Sequence, residues 1–196
     1  DGEGYVLKNI SFHASQGETV AIIGSTGSGK SSLINLIPRF FDVSEGEVLV
    51  DGINVKDYDQ KVLRDKIGYV SQKAVLFSGT IASNISYGKE DATIEEIQKA
   101  AEISKSKEFI EKLDDQYQAH VAQGGKNFSG GQKQRLSIAR AVAKDPEIYI
   151  FDDSFSALDY KTDKELRHAL KEQTNQATTI LVAQRIGTIL TADRIL

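Results

Sequence analysis

A glycine-rich loop, GSTGSGKS at residues 24–31, constrains this 196-residue chain more than any other stretch. It matches the pattern G-x-x-x-x-G-K-[ST], and it stands between the apolar run TVAII (19–23) and residues that open a helix. Glycines allow the backbone to fold around an anion and aim N–H groups at it, and a helix start adds its positive dipole end. The loop therefore predicts a nucleotide phosphate site. The predicted nucleotide-binding residues are Gly24, Ser25, Thr26, Gly27, Ser28, Gly29, Lys30, Ser31 and Ser32.

Three side chains in two separate stretches have the chemistry that a bound nucleotide needs. Lys30 is expected to reach the β- and γ-phosphates of ATP, and the Ser31 hydroxyl is expected to bind a magnesium ion. The apolar run IYIF (148–151) ends at Asp152, and an acid at the C-terminal end of a neighbouring parallel strand faces the same crevice. Asp152 is therefore the predicted carboxylate for magnesium, and ATP and Mg2+ are the predicted ligands.

Short β-rich runs alternate with helical patterns along the chain, which indicates an α/β fold with a P-loop NTPase core and a mainly parallel sheet. The run EVLVDG (47–52) alternates in polarity and stops at an Asp-Gly turn signal, so a small antiparallel β subdomain is expected beside the sheet. The other strand-like runs are TVAIIG (19–24), IGYVSQ (67–72), IYIFDD (148–153) and TTILVAQ (178–184).

The middle of the chain has a different pattern, with no convincing strand from about Gly79 to Tyr117. Thr93 and Glu96 have capping-box spacing ahead of a helical pattern, and SKEFIEKL (106–113) clusters apolar residues on one face. These features predict an inserted α-helical subdomain within a single domain over 1–196. The expected boundaries are a core of about 1–75 and 124–196, and a helical subdomain of about 76–123.

The composition argues against several classes of protein. The formal net charge is -4, so the basic surface of a nucleic-acid-binding protein is not expected. The chain has no cysteine, which excludes disulfides and thiol chemistry. Its histidines, His13, His120 and His168, lack metal-ligand spacing, and no window approaches the roughly 18 apolar residues of a membrane span.

A second glycine-rich stretch, SGGQ at 129–132, opens another helical pattern, because Leu136, Ala139, Arg140 and Ala143 recur at helical intervals. Small residues at a helix start make a second anion site. One chain cannot wrap two separate phosphate sites around the same triphosphate, so this site is expected to close on a nucleotide held by another subunit. The residues predicted to contact the partner's ATP are Ser129, Gly130, Gly131 and Gln132.

Nearly the whole chain resembles the nucleotide-binding domain of an exporter-type ATP-binding cassette (ABC) transporter. Beside the phosphate loop and the IYIFD strand (Walker B), the resemblance rests on Gln72 in YVSQ (the Q-loop position), FSGGQ at 128–132 (the signature) and SALD at 156–159 (the D-loop). LFSGTIASNISYG (76–88) resembles the exporter segment that begins the helical subdomain and faces the coupling helices of the membrane domains. The D-loop residues are Ser156, Ala157, Leu158 and Asp159.

The resemblance implies a head-to-tail dimer of two nucleotide-binding domains with two ATP sites, each formed by one phosphate loop and the other subunit's signature. ATP closes the dimer, and hydrolysis with product release opens it. Gln72 is implied both as a magnesium contact and as a catalytic residue. The expected partners also include transmembrane domains outside this chain, which places the domain on the cytoplasmic face of the cell membrane, in a transporter that exports a substrate.

Two departures from the family pattern fall in one site. The usual general base after Asp152 is glutamate, whereas Asp153 is shorter by one methylene, roughly 1.5 Å. The usual histidine after the last core strand is replaced by Gln184, which can donate to a γ-phosphate but carries no positive charge. Because about 1 Å of misplacement can cost ~10²-fold in rate, this site is predicted to bind ATP and hydrolyse it slowly. The pattern resembles the degenerate-site subunit of a heterodimeric bacterial multidrug exporter.

Smaller departures concern the edges of these motifs. Phe128 stands where the signature commonly has leucine, and Gln123 stands where many exporters have glutamate, so contacts with the membrane domains are expected to differ. The aromatic that stacks on adenine normally lies further upstream than Tyr5, which directly abuts the VLKNISF pattern and is not expected to take that role. We expect the chain to begin after that aromatic and to stop soon after the final core strand.

Three alternatives to the heterodimeric exporter stay open from the sequence. The first is a homodimeric exporter in which Asp153 is a working base. The second is a soluble ABC-type ATPase acting on DNA or ribosomes, which the compact helical insert and the negative net charge disfavour. The third is a nucleotide-sensing regulatory module without a transport role, which the exporter-type segment at 76–88 disfavours.

Overall fold

The computed structural model describes residues 6–196 of the chain. The strands are β1 (Thr19–Ile23), β2 (Leu49–Val50), β3 (Ile53–Asn54), β4 (Ile67–Val70), β5 (Gly79–Thr80), β6 (His120–Val121), β7 (Ile148–Asp152), β8 (Thr178–Ala183) and β9 (Arg194–Ile195). The α-helices are α1 (Lys30–Ile34), α2 (Gln60–Asp65), α3 (Ile81–Ile85), α4 (Ile94–Ile103), α5 (Lys107–Ile110), α6 (Gly130–Lys144), α7 (Tyr160–Gln173) and α8 (Ile186–Ile189). Short 3-10 turns lie at Ser86–Gly88, Gln116–Gln118 and Gln123–Gly125.

A parallel sheet of five strands, in the order β4-β7-β8-β1-β9, forms the centre of the described structure. Two of its inner strands, β7 and β8, are the continuous apolar runs of the sequence, as expected for strands covered on both faces. Successive side chains of β7 point to opposite faces of the sheet, so they belong to two separate apolar clusters. Tyr149 and Phe151 pack in a cluster with α6, α7 and the helices of the middle segment, whereas Ile150 packs on the other face with Ile34 and Leu63.

Within residues 6–196, two small antiparallel sheets accompany the central one. The strands β2 and β3 form a hairpin around Asp51 and Gly52, whose φ angles of 52° and 76° are those of a type I′ turn, for which Asp-Gly is a favoured sequence. The strands β5 and β6 pair Gly79 with Val121 and Thr80 with His120. The expectation of no strand between about Gly79 and Tyr117 was therefore wrong for the two residues of β5. This short strand forms because it pairs with the distant strand β6, and its own sequence has no strand pattern.

Capping explains where the principal helices begin. The Thr93 side chain accepts a hydrogen bond from the Glu96 backbone N–H, and the Glu96 carboxylate accepts one from the Thr93 backbone N–H, which confirms the expected capping box ahead of α4. A second capping box joins Ser129 and Gln132 at the start of α6. The helix α6 packs against α3, α4 and β4, so the middle segment shares one apolar cluster with the sheet.

The fold prediction is confirmed, since a mainly parallel sheet is accompanied by small antiparallel sheets and by helices. Tyr5, which the sequence set aside as the adenine-stacking aromatic, lies outside the described residues. Within residues 6–196, none of the helices has the length and apolar character that a membrane crossing requires.

Candidate nucleotide-binding and catalytic site

The predicted site residues lie at one edge of the central sheet. The phosphate loop follows β1, Gln72 follows β4, Asp152 ends β7, and Gln184 follows β8. These four strands are parallel neighbours, so their carboxyl ends meet at the same edge, where α/β sheets bind their ligands. The fold thus gathers four separate stretches of the sequence into one crevice.

The phosphate loop folds around the Lys30 side chain. The ammonium nitrogen of Lys30 donates to the carbonyls of Gly24 at 2.8 Å and Ser25 at 2.7 Å, and to the Ser28 hydroxyl at 3.2 Å. Gly29 caps α1 with a φ of 89°, in the left-handed region that favours glycine. The loop therefore holds its cation at the helix start, where a phosphate group would meet it.

Ser31 and Asp152 converge although they are distant in sequence. The Ser31 hydroxyl donates to Asp152 Oδ1 at 3.0 Å, and it is exposed while the carboxylate is largely buried. Among the described residues no group of three or more His, Cys, Asp or Glu side chains could hold a metal ion by itself. Magnesium commonly takes only one or two protein oxygens and completes its shell with phosphates and water, so the Ser31–Asp152 pair fits a Mg2+ that arrives with a nucleotide.

Two side chains that the sequence reasoning missed extend this pair. The Tyr69 hydroxyl lies 3.3 Å from Asp152 Oδ2 and 2.9 Å from Asn35 Oδ1. Burial, and then the Asp152 charge, raise the pKa of Tyr69 above its ordinary value, so the phenol is a proton donor at neutral pH. A polar ring in the otherwise apolar strand IGYV was the available signal.

The carboxylate of Asp153 is held between two glutamine amides. Gln72 Nε2 donates to Asp153 Oδ2 at 3.0 Å, and Gln184 Nε2 donates to the same oxygen at 3.3 Å. The backbone of Asp153 has a φ of 47°, and its N–H donates to the Val182 carbonyl at 2.9 Å. The residues at the base, Q-loop and histidine positions of the family pattern therefore form one hydrogen-bonded group.

The electrostatic setting of Asp153 opposes its ionisation. Burial raises the pKa of this carboxyl above its ordinary value, the Gln72 hydrogen bond partly offsets that shift, and the adjacent Asp152 charge adds to it. A raised pKa in a crevice is a property that general bases have, because it brings the pKa of the carboxyl closer to neutral pH. Its Oδ2, however, already accepts both glutamine amides.

The D-loop connects this group to the signature. The Ser156 hydroxyl donates to the Asp153 carbonyl at 2.8 Å, and the Arg185 guanidinium, which the sequence reasoning also missed, donates to the Ser156 carbonyl at 3.1 Å. A Cβ added to Gly131 would lie 3.4 Å from the Ala157 carbonyl oxygen, so the signature packs directly against the D-loop. The last D-loop residue, Asp159, caps α7.

The signature remains apart from the phosphate loop of its own chain. Ser129 and Gln132 satisfy each other in their capping box, and a Cβ added to Gly130 would meet nothing within 4 Å. The first N–H groups of α6 have no acceptor within the helix. Across residues 6–196, no hydrogen bond joins the signature to the loop at 24–31. Each of the two contacts other predicted site residues, Asp152 for the loop and the D-loop for the signature, but they do not contact each other through hydrogen bonds.

Known proteins share the sequence pattern and the fold of this chain. A family model described as ABC transporter matches residues 7–156. ABC transporter B family member 21 of Arabidopsis thaliana is 46% identical over 98% of this chain and 15% of its own length. YgaD of Bacillus subtilis, provisionally named a multidrug export ATP-binding/permease protein, is 44% identical over 97% of this chain and 33% of its own.

The solved structures include a bacterial Atm1-family ABC exporter with ATP bound, which matches with a TM-score of 0.95 and 38% identity, over 100% of this chain and 34% of that chain. The present chain thus spans between 15% and 34% of the length of these relatives. With a family model matched over most of its length and the same fold at substantial identity, the chain belongs to the ABC transporter family.

Proposed function

We propose that the chain is the ATP-binding motor domain of an ABC exporter, and that its own phosphate-loop site hydrolyses ATP slowly. ATP-driven pairing with a second nucleotide-binding domain, of a different subunit, then powers export across the membrane. The similarity to relatives named as exporters supports the transport role. The slow site is the part of the proposal that rests on side-chain geometry.

The observation that carries the slow site is the shared anchoring of Asp153. A general base must reach the proton that it removes. The Asp153 carboxylate is one methylene shorter than glutamate, and its Oδ2 accepts the Gln72 amide at 3.0 Å and the Gln184 amide at 3.3 Å. These contacts hold the carboxylate back toward β4 and β8. Gln184 also has no positive charge to place beside a γ-phosphate.

The binding half of the site has the chemistry to hold a nucleotide. We assign the loop at 24–32 to the phosphates, Lys30 to the terminal phosphates, and Ser31 with Asp152 to Mg2+. Gln72 donates to Asp153 through Nε2 at 3.0 Å, so its amide oxygen is the atom assigned to the same ion. When bound, Mg2+ neutralises phosphate charge; the residues of this chain position the nucleotide and exclude water around it.

The signature is proposed to act on the partner's nucleotide. Its first glycine faces open space at the start of a 15-residue helix, and its second glycine touches the D-loop that continues from Asp153. Gly130 and Gly131 therefore offer N–H groups to an anion from outside the chain. The faster hydrolysis is assigned to that second site.

The helical subdomain, proposed to span about 76–123, is assigned the contact with the transmembrane domains. Phe77 and Tyr87 stack with centroids 4.4 Å apart and are 41% and 60% exposed. The Arg140 guanidinium lies over both rings, at 5.0 and 5.6 Å from their centroids, and donates to the Asn84 carbonyl at 2.8 Å. Because Arg140 belongs to α6, this aromatic surface is joined to the helix that begins with the signature.

The ATPase rate of the purified chain tests the slow site. Asp153→Glu combined with Gln184→His restores the longer acid and the charged switch residue, and we expect the rate to rise by about 10- to 100-fold over the unmodified chain. The same double variant carrying Lys30→Ala provides the blank, since it lacks the cation of the phosphate loop. Equal rates with and without the double substitution, well above the blank, would instead support a homodimeric exporter in which Asp153 is a working base.

A further inference from the structure

We propose that Tyr69 is a positioning residue for magnesium, because its hydroxyl holds the oxygen of Asp152 that Ser31 does not contact. The inference rests on the proposed Mg2+–ATP site and adds a residue to it. Tyr69 lies on β4, beside β7, and reaches across the edge of the sheet to the end of that strand.

The Asp152 carboxylate has two oxygens, and each has its own hydroxyl partner. Ser31 donates to Oδ1 at 3.0 Å from the phosphate-loop helix, and Tyr69 donates to Oδ2 at 3.3 Å from the sheet. A carboxylate held at both oxygens cannot rotate freely about its terminal bond. Outer partners of metal-holding carboxylates fix their orientation in this way, and their loss typically costs about 10- to 100-fold in metal affinity.

Asn35 completes the arrangement. Its amide oxygen lies 2.9 Å from the Tyr69 hydroxyl, one turn along from Ser31. The phenol has one proton and two neighbours, and the two ends of an asparagine amide exchange by a rotation of its terminal bond. With the Asn35 nitrogen turned toward the phenol oxygen, the phenol proton is directed to Asp152.

The ring of Tyr69 is itself held in place. It packs edge-on against Phe40, with centroids 5.5 Å apart, and the Arg64 guanidinium in turn lies over the Phe40 ring, 5.4 Å from its centroid. Replacing Tyr69 by phenylalanine preserves this packing and removes only the hydroxyl. The substitution therefore isolates the hydrogen bond from the fold.

The test measures ATP binding by titration calorimetry over a series of Mg2+ concentrations, including a chelated, metal-free sample. For Tyr69→Phe we expect the Mg2+ concentration that gives half of the metal-dependent gain in ATP affinity to rise by about tenfold. Metal-free ATP binding should match that of the unmodified chain, because the phosphate loop is untouched. Tyr58→Phe is the matched control, since Tyr58 is a half-buried tyrosine that donates to the Val50 carbonyl away from the site.

Three outcomes would overturn the inference. The first is a Mg2+ midpoint for Tyr69→Phe equal to that of the unmodified chain. The second is an equal loss of metal-free binding, which would assign Tyr69 to the loop rather than to the metal. The third is an equal shift in Tyr58→Phe, which would mark a general effect of losing a tyrosine hydroxyl. If the unmodified chain shows no Mg2+-dependent ATP binding at all, the proposed function itself fails, and this inference with it.

Discussion

At the scale of single residues, Asp152 and Asp153 show how adjacent carboxyls acquire different roles. Asp152 is the last residue of β7 and lies on the face covered by α1, so it meets Ser31 and Tyr69. Asp153 turns out of the strand with a positive φ and meets Gln72 and Gln184 instead. One peptide bond therefore separates a carboxylate that meets two hydroxyls from one that meets two glutamine amides.

The raised pKa of Asp153 leads to a prediction about stability and pH. A carboxyl whose pKa is higher in the folded chain stabilises the fold below its unfolded pKa, and that contribution is lost as pH rises through the folded pKa. At pH 7 the ionised Asp153 therefore lowers the free energy of unfolding. We expect Asp153→Asn to raise the melting temperature at pH 7, and the gain to shrink as the pH is lowered toward 4.

Thermal melting across this pH range checks the prediction. Asp114→Asn is the control, since Asp114 is exposed and outside the site, and its substitution should change the melting temperature little. A lower melting temperature for Asp153→Asn than for the unmodified chain at pH 7 would contradict the argument. It would mean that the hydrogen bonds from Gln72 and Gln184 outweigh the burial of the charge.

At the scale of elements, the position of β4 depends on a close approach to the end of α6. Gly68 is buried in β4, and a Cβ added there would lie 2.7 Å from Pro146 Cγ and 3.5 Å from Ala141 Cβ. The strand carries Tyr69 and leads to Gln72, while the helix carries the signature. The absence of a side chain at residue 68 thus allows β4 to pack closely against the end of α6.

Gly68→Ala is accordingly expected to destabilise the fold by about 1–3 kcal/mol, because the methyl group overpacks against a proline ring and helix α6. Denaturant unfolding measures this difference. Gly187→Ala is the matched control: its Cβ would meet nothing within 4 Å, and alanine is a better helix former than glycine. Equal stability of the two variants would show that β4 and α6 move apart at little cost.

At the scale of the whole molecule, the residues assigned to the proposed ATP sites form two groups that no hydrogen bond joins within residues 6–196. The phosphate loop is assembled with Asp152, whereas the signature is assembled with the D-loop. A second nucleotide-binding domain placed head to tail would complete both. Under the proposed function this separation is a reason for pairing, and the ATPase rate is then expected to depend on protein concentration.

That dependence can be measured in the Asp153→Glu, Gln184→His background. We expect its specific ATPase rate to rise with protein concentration, because each phosphate loop needs the signature of a second copy. Adding Ser129→Arg should reduce the rate by about 10²-fold or more while leaving ATP binding to the single chain intact. Ser44→Arg, at an exposed serine away from the site, is the matched control. A rate per molecule that is independent of concentration would contradict the shared site.

Patterns of residues that are close in sequence were sufficient to predict the fold class and the loops, helix starts and strands around the site. The loop at 24–31, the capping boxes at Thr93 and Ser129, and the strand at 148–152 are each defined by neighbours in sequence, whose geometry follows from local hydrogen bonding and side-chain alternation. The sequence by itself therefore determined an α/β fold, with one helix that begins at the glycine-rich loop and another that begins at the glycines after Ser129. It failed at Gly79, where pairing with a distant strand made the element.

Only the tertiary structure decided which side chains meet. Ser31 and Asp152 are 121 residues apart, Tyr69 and Asp152 are 83 apart, and Gln72 and Asp153 are 81 apart. Such contacts depend on strand order and on the pleat of the sheet, which set the side of the edge on which each residue emerges. The order β4-β7-β8 places Gln72 and Gln184 on either side of Asp153, and no local pattern contains that information. The sequence specified the chemical groups of this site, and the packing of parallel strands selected their partners.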